Sequence, residues 1–420
     1  MRCQVLGIAM SARSSAAQSL RYGEGQLFQF DLEPSRIVRR HRPPEPSTNF
    51  VADVREQLQE PLNFPPLELA IVPEDKIAIA LDRQTPGAAQ VIAGMWAHFE
   101  RRSVRPENVT ILQPASWQMG KLPDPRSALP ESVRDQVKWV VHDATDKKRE
   151  VYLANSAGGE RIYLAREIVD ADVILPVGSV GFDPLLGIRN ASSAIYPGLS
   201  NVDAMAKARG QDHSELRPED DRPLRQLQDE VAWLLGVQMG VQVLPSVGGQ
   251  PAGLLCGALD AVTTAGRIWL KQNWYVELPQ RCEVVVAAVD ADGSETSWEH
   301  IGAALQTARN LVQRRGKIVL ISSLAAEPSE GFAFLRQSET PREALKPLRI
   351  ESPPDLIPAS RLASAADWAT VYLLSRLNSD VVEGHCMTPL ASELEVVRLL
   401  ERSGSCLLLE GAQHTFGYVA

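Results

Sequence analysis

No Cys-x-x-Cys pair, no His-x-x-x-His or His-x-His spacing, and no Lys/Arg run interleaved with aromatics occurs in this chain of 420 residues. The five cysteines, Cys3, Cys256, Cys282, Cys386 and Cys406, are scattered and odd in number. That excludes a disulfide framework, and reduced, buried thiols in a cytoplasmic protein are expected. The histidine spacing offers no ready metal motif. A formal net charge of −9 without a basic stretch argues against a nucleic-acid partner, which needs a positive face for the phosphates. Long hydrophobic runs are also missing. Residues 5–12 are apolar but short, and Arg13 interrupts them, so neither a signal peptide nor a membrane span is expected. With 44% hydrophobic and 23% charged residues, what remains is an ordinary globular composition, on a chain long enough for two or three domains.

The most informative segment is KIAIALDRQTPGAAQVIAGMWAHFERR, residues 76–101 with one arginine beyond. Residues 77–81 form a continuous apolar run, as a strand buried on both faces of a parallel sheet requires. Thr85 is expected to cap the following helix, with Pro86 in its first turn. Val91, Ile92, Met95, Trp96 and Phe99 then recur at helical spacing. Asp82 and Arg83 therefore fall at the carboxyl end of a strand beside a helix N-terminus, where open α/β sheets bind ligands. The plain alternative is a structural turn in which Arg83 pairs with a neighbouring carboxylate.

Further strands are expected at 109–112, 137–141 and 172–175, each followed by a polar loop. Strands alternating with helices imply a parallel sheet, so these loops should share one rim and could bring Arg83, Trp117, His142 and Asp183 together. His142 reads more readily as a turn residue than as a catalyst. A second series follows: a strand at 283–289, a helix at 298–314, a strand at 317–322, helices near 363–377 and 391–402, and a last strand at 406–409. Residues 214–229 are dense in charge and suit an exposed connection, and the Pro-rich stretches 42–48 and 351–358 suit surface loops. The expected architecture is two α/β domains with mostly parallel sheets and a ligand cleft between them. After an N-terminal extension at 1–20, the domains would span 21–270 and 271–420.

The stretch YGEG at 22–25, QLQEPLNFPPLEL at 57–69, KIAIALDRQTP and GSVGFDPLLGIRNASSAIYPG at 178–198 follow one another in an order that resembles the nickel-pincer-nucleotide lactate racemase family. The resemblance implies a two-domain isomerase acting on 2-hydroxy acids. Its cofactor would lie in the interdomain cleft and accept a hydride from the substrate, with two histidines as acid–base groups. It also places Arg83 on a family arginine that contacts cofactor or substrate.

The departures from that family are specific. Gly178, Gly187, Pro197 and Gly198 keep the frame, but Asp183 stands at one acid–base histidine and Trp117 at or near the other. Ser193 stands at the lysine that anchors the cofactor, and serine cannot form the linkage an amine forms. The nickel-ligating histidine falls near Arg209, with His213 four residues on as a weak substitute. The second domain's Q-x-x-K motif corresponds to His300 through Ala303. Asp183 is the one surviving candidate base, where a racemase needs a competent group on each face of the reacting carbon. Each substitution has a structural alternative: Trp117 as core filling, Asp183 as a turn cap, His300 and His213 as surface residues. Two functions stay open: a divergent hydroxy-acid isomerase holding its nucleotide non-covalently through Asp82, Arg83, Thr85 and their neighbours, or a catalytically silent paralogue serving as a ligand-binding or regulatory module. Asp82 and Arg83 favour a bound ligand in either case, and a small anionic hydroxy acid is the partner that the enzyme reading implies.

Overall fold

The computed structural model describes residues 16–83, 85–114, 123–208, 216–290 and 296–420. Two six-stranded sheets organise the chain. The first takes the order Pro251–Ala258, Met239–Pro245, Val173–Ser179, Ile77–Leu81, Val109–Pro114, Lys138–His142, parallel except for the first strand, which is antiparallel to its neighbour. Every residue of Ile77–Leu81 is buried, as its unbroken apolar run requires at the centre of a sheet covered on both faces. Helix Ala88–Arg101 buries Val91, Ile92, Met95, Trp96 and Phe99, the face read from the sequence. Gly94 lets helix Phe50–Gln59 lie close against it, since a Cβ there would meet Val54 Cγ1 at 2.4 Å.

The second sheet is parallel throughout, in the order Thr388–Leu390, Thr370–Leu374, Val312–Ile321, Cys282–Ala288, Cys406–Leu409, Ile37–His41. Its last strand comes from the start of the chain. The hairpin Ala16–Tyr22 with Gln26–Leu32 goes with it, packing Leu20, Phe28, Phe30 and Leu32 against Val284, Val286 and Leu408. Residues ahead of the first sheet in sequence thus complete the second one in space.

Several elements differ from the sequence expectation. Thr85 does not cap the helix: its hydroxyl donates to the Asp82 carbonyl at 2.8 Å, and the helix starts at Ala88 after Gly87, which takes the left-handed conformation at φ 62°. The helix expected to 314 ends at Leu311, because Val312 already pairs with Cys282 and the polar residues 313–315 are exposed. The helix expected at 363–377 instead spans Leu356–Trp368, and Thr370–Leu374 is a strand whose residues alternate in burial. The charged stretch 214–229, expected as a connection, is partly a helix, Pro223–Leu234. Its Arg225 is buried because the guanidinium reaches the carbonyls of Leu186, Pro218, Glu219 and Asp220 at 2.9–3.3 Å.

Cys256, Cys282 and Cys406 are buried and Cys386 half-buried, all as free thiols. Burial pushes Cys256 up to about 12 and Cys282 up to about 11, which keeps both protonated and inert. Among the described residues no helix is long and apolar enough to cross a membrane.

Candidate functional site

The carboxyl ends of the two parallel sheets face each other. Asp290, just past strand Cys282–Ala288, accepts a hydrogen bond from the Gly248 amide at 2.6 Å, in the loop after strand Met239–Pro245. Ser246 of that loop donates to the Pro44 carbonyl at 2.5 Å, just past strand Ile37–His41. The cleft is therefore where two rims of strand ends meet, the location that parallel sheets offer to ligands.

On the rim of the first sheet, Asp82 and Arg83 occupy the strand end as the sequence indicated. The Arg83 guanidinium donates to the Pro114 carbonyl at 2.9 Å, and burial lowers its affinity for the proton while Asp82 raises it. Asp82 lies 3.9 Å from the Arg189 guanidinium. Arg189 belongs to the hairpin formed by Gly181–Asp183 and Gly187–Arg189. Gly187 is required there: its φ is +72°, and a Cβ would stand 2.2 Å from the Pro218 carbonyl oxygen. Asp183 begins the hairpin turn, and one of its carboxylate oxygens accepts the amides of Leu185 at 2.8 Å and Leu186 at 2.9 Å. The structural alternative for this residue is thus its observed role, although it also lines a cavity. Ser193 sits in the 3-10 turn Ala191–Ala194, where its hydroxyl donates to the Asn190 carbonyl at 2.5 Å. His142 is buried and bonded to the Ser200 carbonyl at 2.8 Å, a structural tie. Trp117, His213 and Arg209 lie outside the described residues.

On the facing rim, His300 closes a capping box with Ser297 at the start of helix Trp298–Leu311. It is drawn down to about 4, first by burial and then by the charge of His414, with Asp290 opposing. His414 falls to about 4 from burial and from Arg189, which reaches it from the opposite rim. Asp290 is buried, and burial raises its pKa, while Gln413 at 2.7 Å and the Gly248 amide hold it down. Trp274 stands between His414 and His41, at centroid distances of 5.4 and 5.5 Å. Phe182 of the hairpin packs on Tyr275 and Phe416, giving the cleft one apolar wall.

Asp82 and Arg189 are therefore brought together, and Arg189 extends that charge to His300 and His414. Arg83 and Asp183 do not join them, since both are engaged with backbone. Sequence reasoning missed Asp290 and His414. The rule that found Asp82, the first polar residue after a buried strand, applies equally to Asp290, but the resemblance drew attention to the first sheet.

Two rims of strand ends meeting across a polar cleft define a mixed α/β protein with two large, mostly parallel sheets. Residues 22–215 match the family model of the lactate racemase N-terminal domain. The fold agrees with the structure of the lactate racemase apoprotein from Thermoanaerobacterium thermosaccharolyticum, with a TM-score of 0.78 over 96% of this chain and 100% of that one at 16% identity. A protein from Thermotoga maritima is similar at a TM-score of 0.64, 11% identity, and coverage of 90% and 100%. No curated protein matches the sequence.

Proposed function

We propose that this protein binds a compact organic anion in the interdomain cleft and no longer performs the hydride chemistry that its resemblance implies. The observation that carries this reading is the use of Ser193 and Asp183 for local backbone bonding. Ser193 offers a hydroxyl where the family has an anchoring amine, and that hydroxyl already serves Asn190. Asp183, at a family acid–base position, is occupied by two amide donors. Among the described residues no group of three His, Cys, Asp or Glu side chains could hold a metal ion. With a hydroxyl at Ser193, a cofactor anchored through an amine does not fit at that position. The guanidinium groups that line the cavity between the hairpin and the second sheet's helices support an anionic ligand. A cytoplasmic setting accords with the free, buried thiols.

A hydroxy-acid isomerase with a non-covalent cofactor is the competing reading, and it draws on the place of Asp183 in the cavity lining. The two separate when the protein is co-produced with the enzymes that build the family cofactor. We expect unmodified mass under denaturing conditions, no nickel in the native protein and no interconversion of D- and L-lactate. Near-stoichiometric nickel with turnover of a hydroxy acid would restore the enzyme reading.

A further inference from the structure

The amino ends of the second sheet's strands carry a cluster that takes no part in the cleft. Trp368 closes helix Leu356–Trp368 just ahead of strand Thr370–Leu374. Its indole N–H donates to the Val312 carbonyl at 3.1 Å, which fixes the ring at the start of strand Val312–Ile321. Three guanidinium groups gather on that ring, Arg281 at 5.0 Å from its centroid and Arg309 and Arg314 at 5.5 Å. Arg281 directly precedes strand Cys282–Ala288, Arg309 lies in the last turn of helix Trp298–Leu311, and Arg314 stands in the exposed stretch 313–315. In a parallel sheet with helical crossovers the amino ends form the pole opposite the carboxyl ends, so the cluster and the cleft lie on opposite sides of this lobe.

A structural role accounts for part of the cluster. Arg281 donates to the carbonyls of Arg309 at 2.9 Å and Val312 at 3.2 Å, where a helix C-terminus favours a cation. Arg314 has no such tie: it is exposed, and the Trp368 ring is its partner among the described residues. Neither arginine is in an ion pair with a described carboxylate, and exposed Arg315 adds a further positive charge. Like charges held around one ring repel each other, and an anion relieves that repulsion. A guanidinium stacked on an aromatic face keeps its N–H edge for paired bonds to a carboxylate. We propose that this pole is a docking surface for an acidic segment of another protein. Cations on an exposed stretch of backbone meet a partner's surface, whereas small molecules are held in concave sites. The chain as a whole carries −9, so a long polyanion would be repelled beyond the cluster. A short run of carboxylates feels mainly the charges within a Debye length, about 8 Å, and these are positive here.

The test is fluorescence anisotropy of fluorescein-labelled hexaglutamate titrated with the full chain at low and at physiological ionic strength. Binding should be clear at low salt and weaken as salt screens it. Arg314→Glu should weaken it roughly tenfold by reversing one charge of the cluster, and an exposed side chain bound only to an indole face leaves the fold intact. Trp368→Leu removes the platform and should weaken binding severalfold. Arg105→Glu is the charge-matched control: Arg105 lies on the other lobe, 63% exposed beside Glu107, and its variant should bind as the wild type does. No binding at low salt, or equal losses in Arg314→Glu and Arg105→Glu, would overturn the inference. Displacement of the peptide by less tripolyphosphate than unlabelled hexaglutamate would also overturn it, assigning the surface to a phosphate polyanion. The anion-binding reading of the cleft stands or falls separately from all of these outcomes.

Discussion

At the rim of the first sheet, Thr85, Asp183 and Ser193 each complete a local turn: a hydroxyl to Asp82, a carboxylate to two amides, a hydroxyl to Asn190. At the rim of the second, Asp290 and Gln413 bond across elements far apart in sequence, and His300 and His414 are drawn down mainly by burial, with the Arg189 charge of the facing rim adding to it. The first rim matches the family frame in sequence, but its polar groups are absorbed by backbone. The second has little recognisable motif, yet its groups are the ones whose protonation the tertiary structure controls. Perturbed groups gather where function or coupling between lobes is built, so the second rim is the more informative half of this cleft.

Acid titration breaks the comparison most strongly. His41 is 6% exposed beside Trp274, and burial, with the Arg39 charge, pulls it down to about 4. The unfolded chain therefore binds the proton more readily between pH 6.5 and 4. Stability from the neutral ring is full above that window and lost as pH falls through it. One such histidine is worth about 3 kcal/mol. Asp290 and Glu410, raised by burial, act in the opposite direction as pH falls. Urea unfolding at pH 7 and pH 4.5 should show the loss, and His41→Phe should flatten it. An identical pH slope in wild type and variant would show that the buried ring is not the source.

Asp290→Ala is the next largest. It leaves the Gly248 amide without its acceptor and removes one of the two acceptors of the Gln413 amide, whose bond to the residue-290 carbonyl stays, a cost of about 2 kcal/mol. Hydrogen exchange should become faster at residues 246–250 and 411–415 together, because the aspartate couples the two lobes. Faster exchange on one side only would mean that the rims are held together by other contacts.

The smallest effects belong to the first rim. Asp183→Ala should cost about 1 kcal/mol, the usual value for losing a side-chain acceptor at a turn. Ser193→Ala should cost less still. Chemical denaturation measures both, and a loss above roughly 3 kcal/mol for Asp183→Ala would place that carboxylate among the interactions that hold the lobes, not in a local turn.

Much of this arrangement was legible in the sequence. Unbroken apolar runs gave strands 77–81 and 406–409 within their observed limits, because buried parallel strands are specified by local hydrophobicity. Asp82 and Arg83 were placed on the rim by the same run. The strand Thr370–Leu374 was read as helix because its short alternating pattern follows a helical stretch without a break of glycine or proline. The burial of Arg225 gave no local signal, since it sits in a charged stretch whose burial depends on the hairpin folding over it.

The chain by itself determined an α/β fold with mostly parallel sheets and a sequence match to the lactate racemase N-terminal domain, both consequences of residue type and short-range spacing. The tertiary structure alone decided that strand Ile37–His41 completes the second sheet, with the hairpin 16–32 packed on it, and that Asp183 and Ser193 serve backbone. Those outcomes depend on which groups lose water together when the lobes close, a property of contacts between residues up to several hundred positions apart and not of any segment.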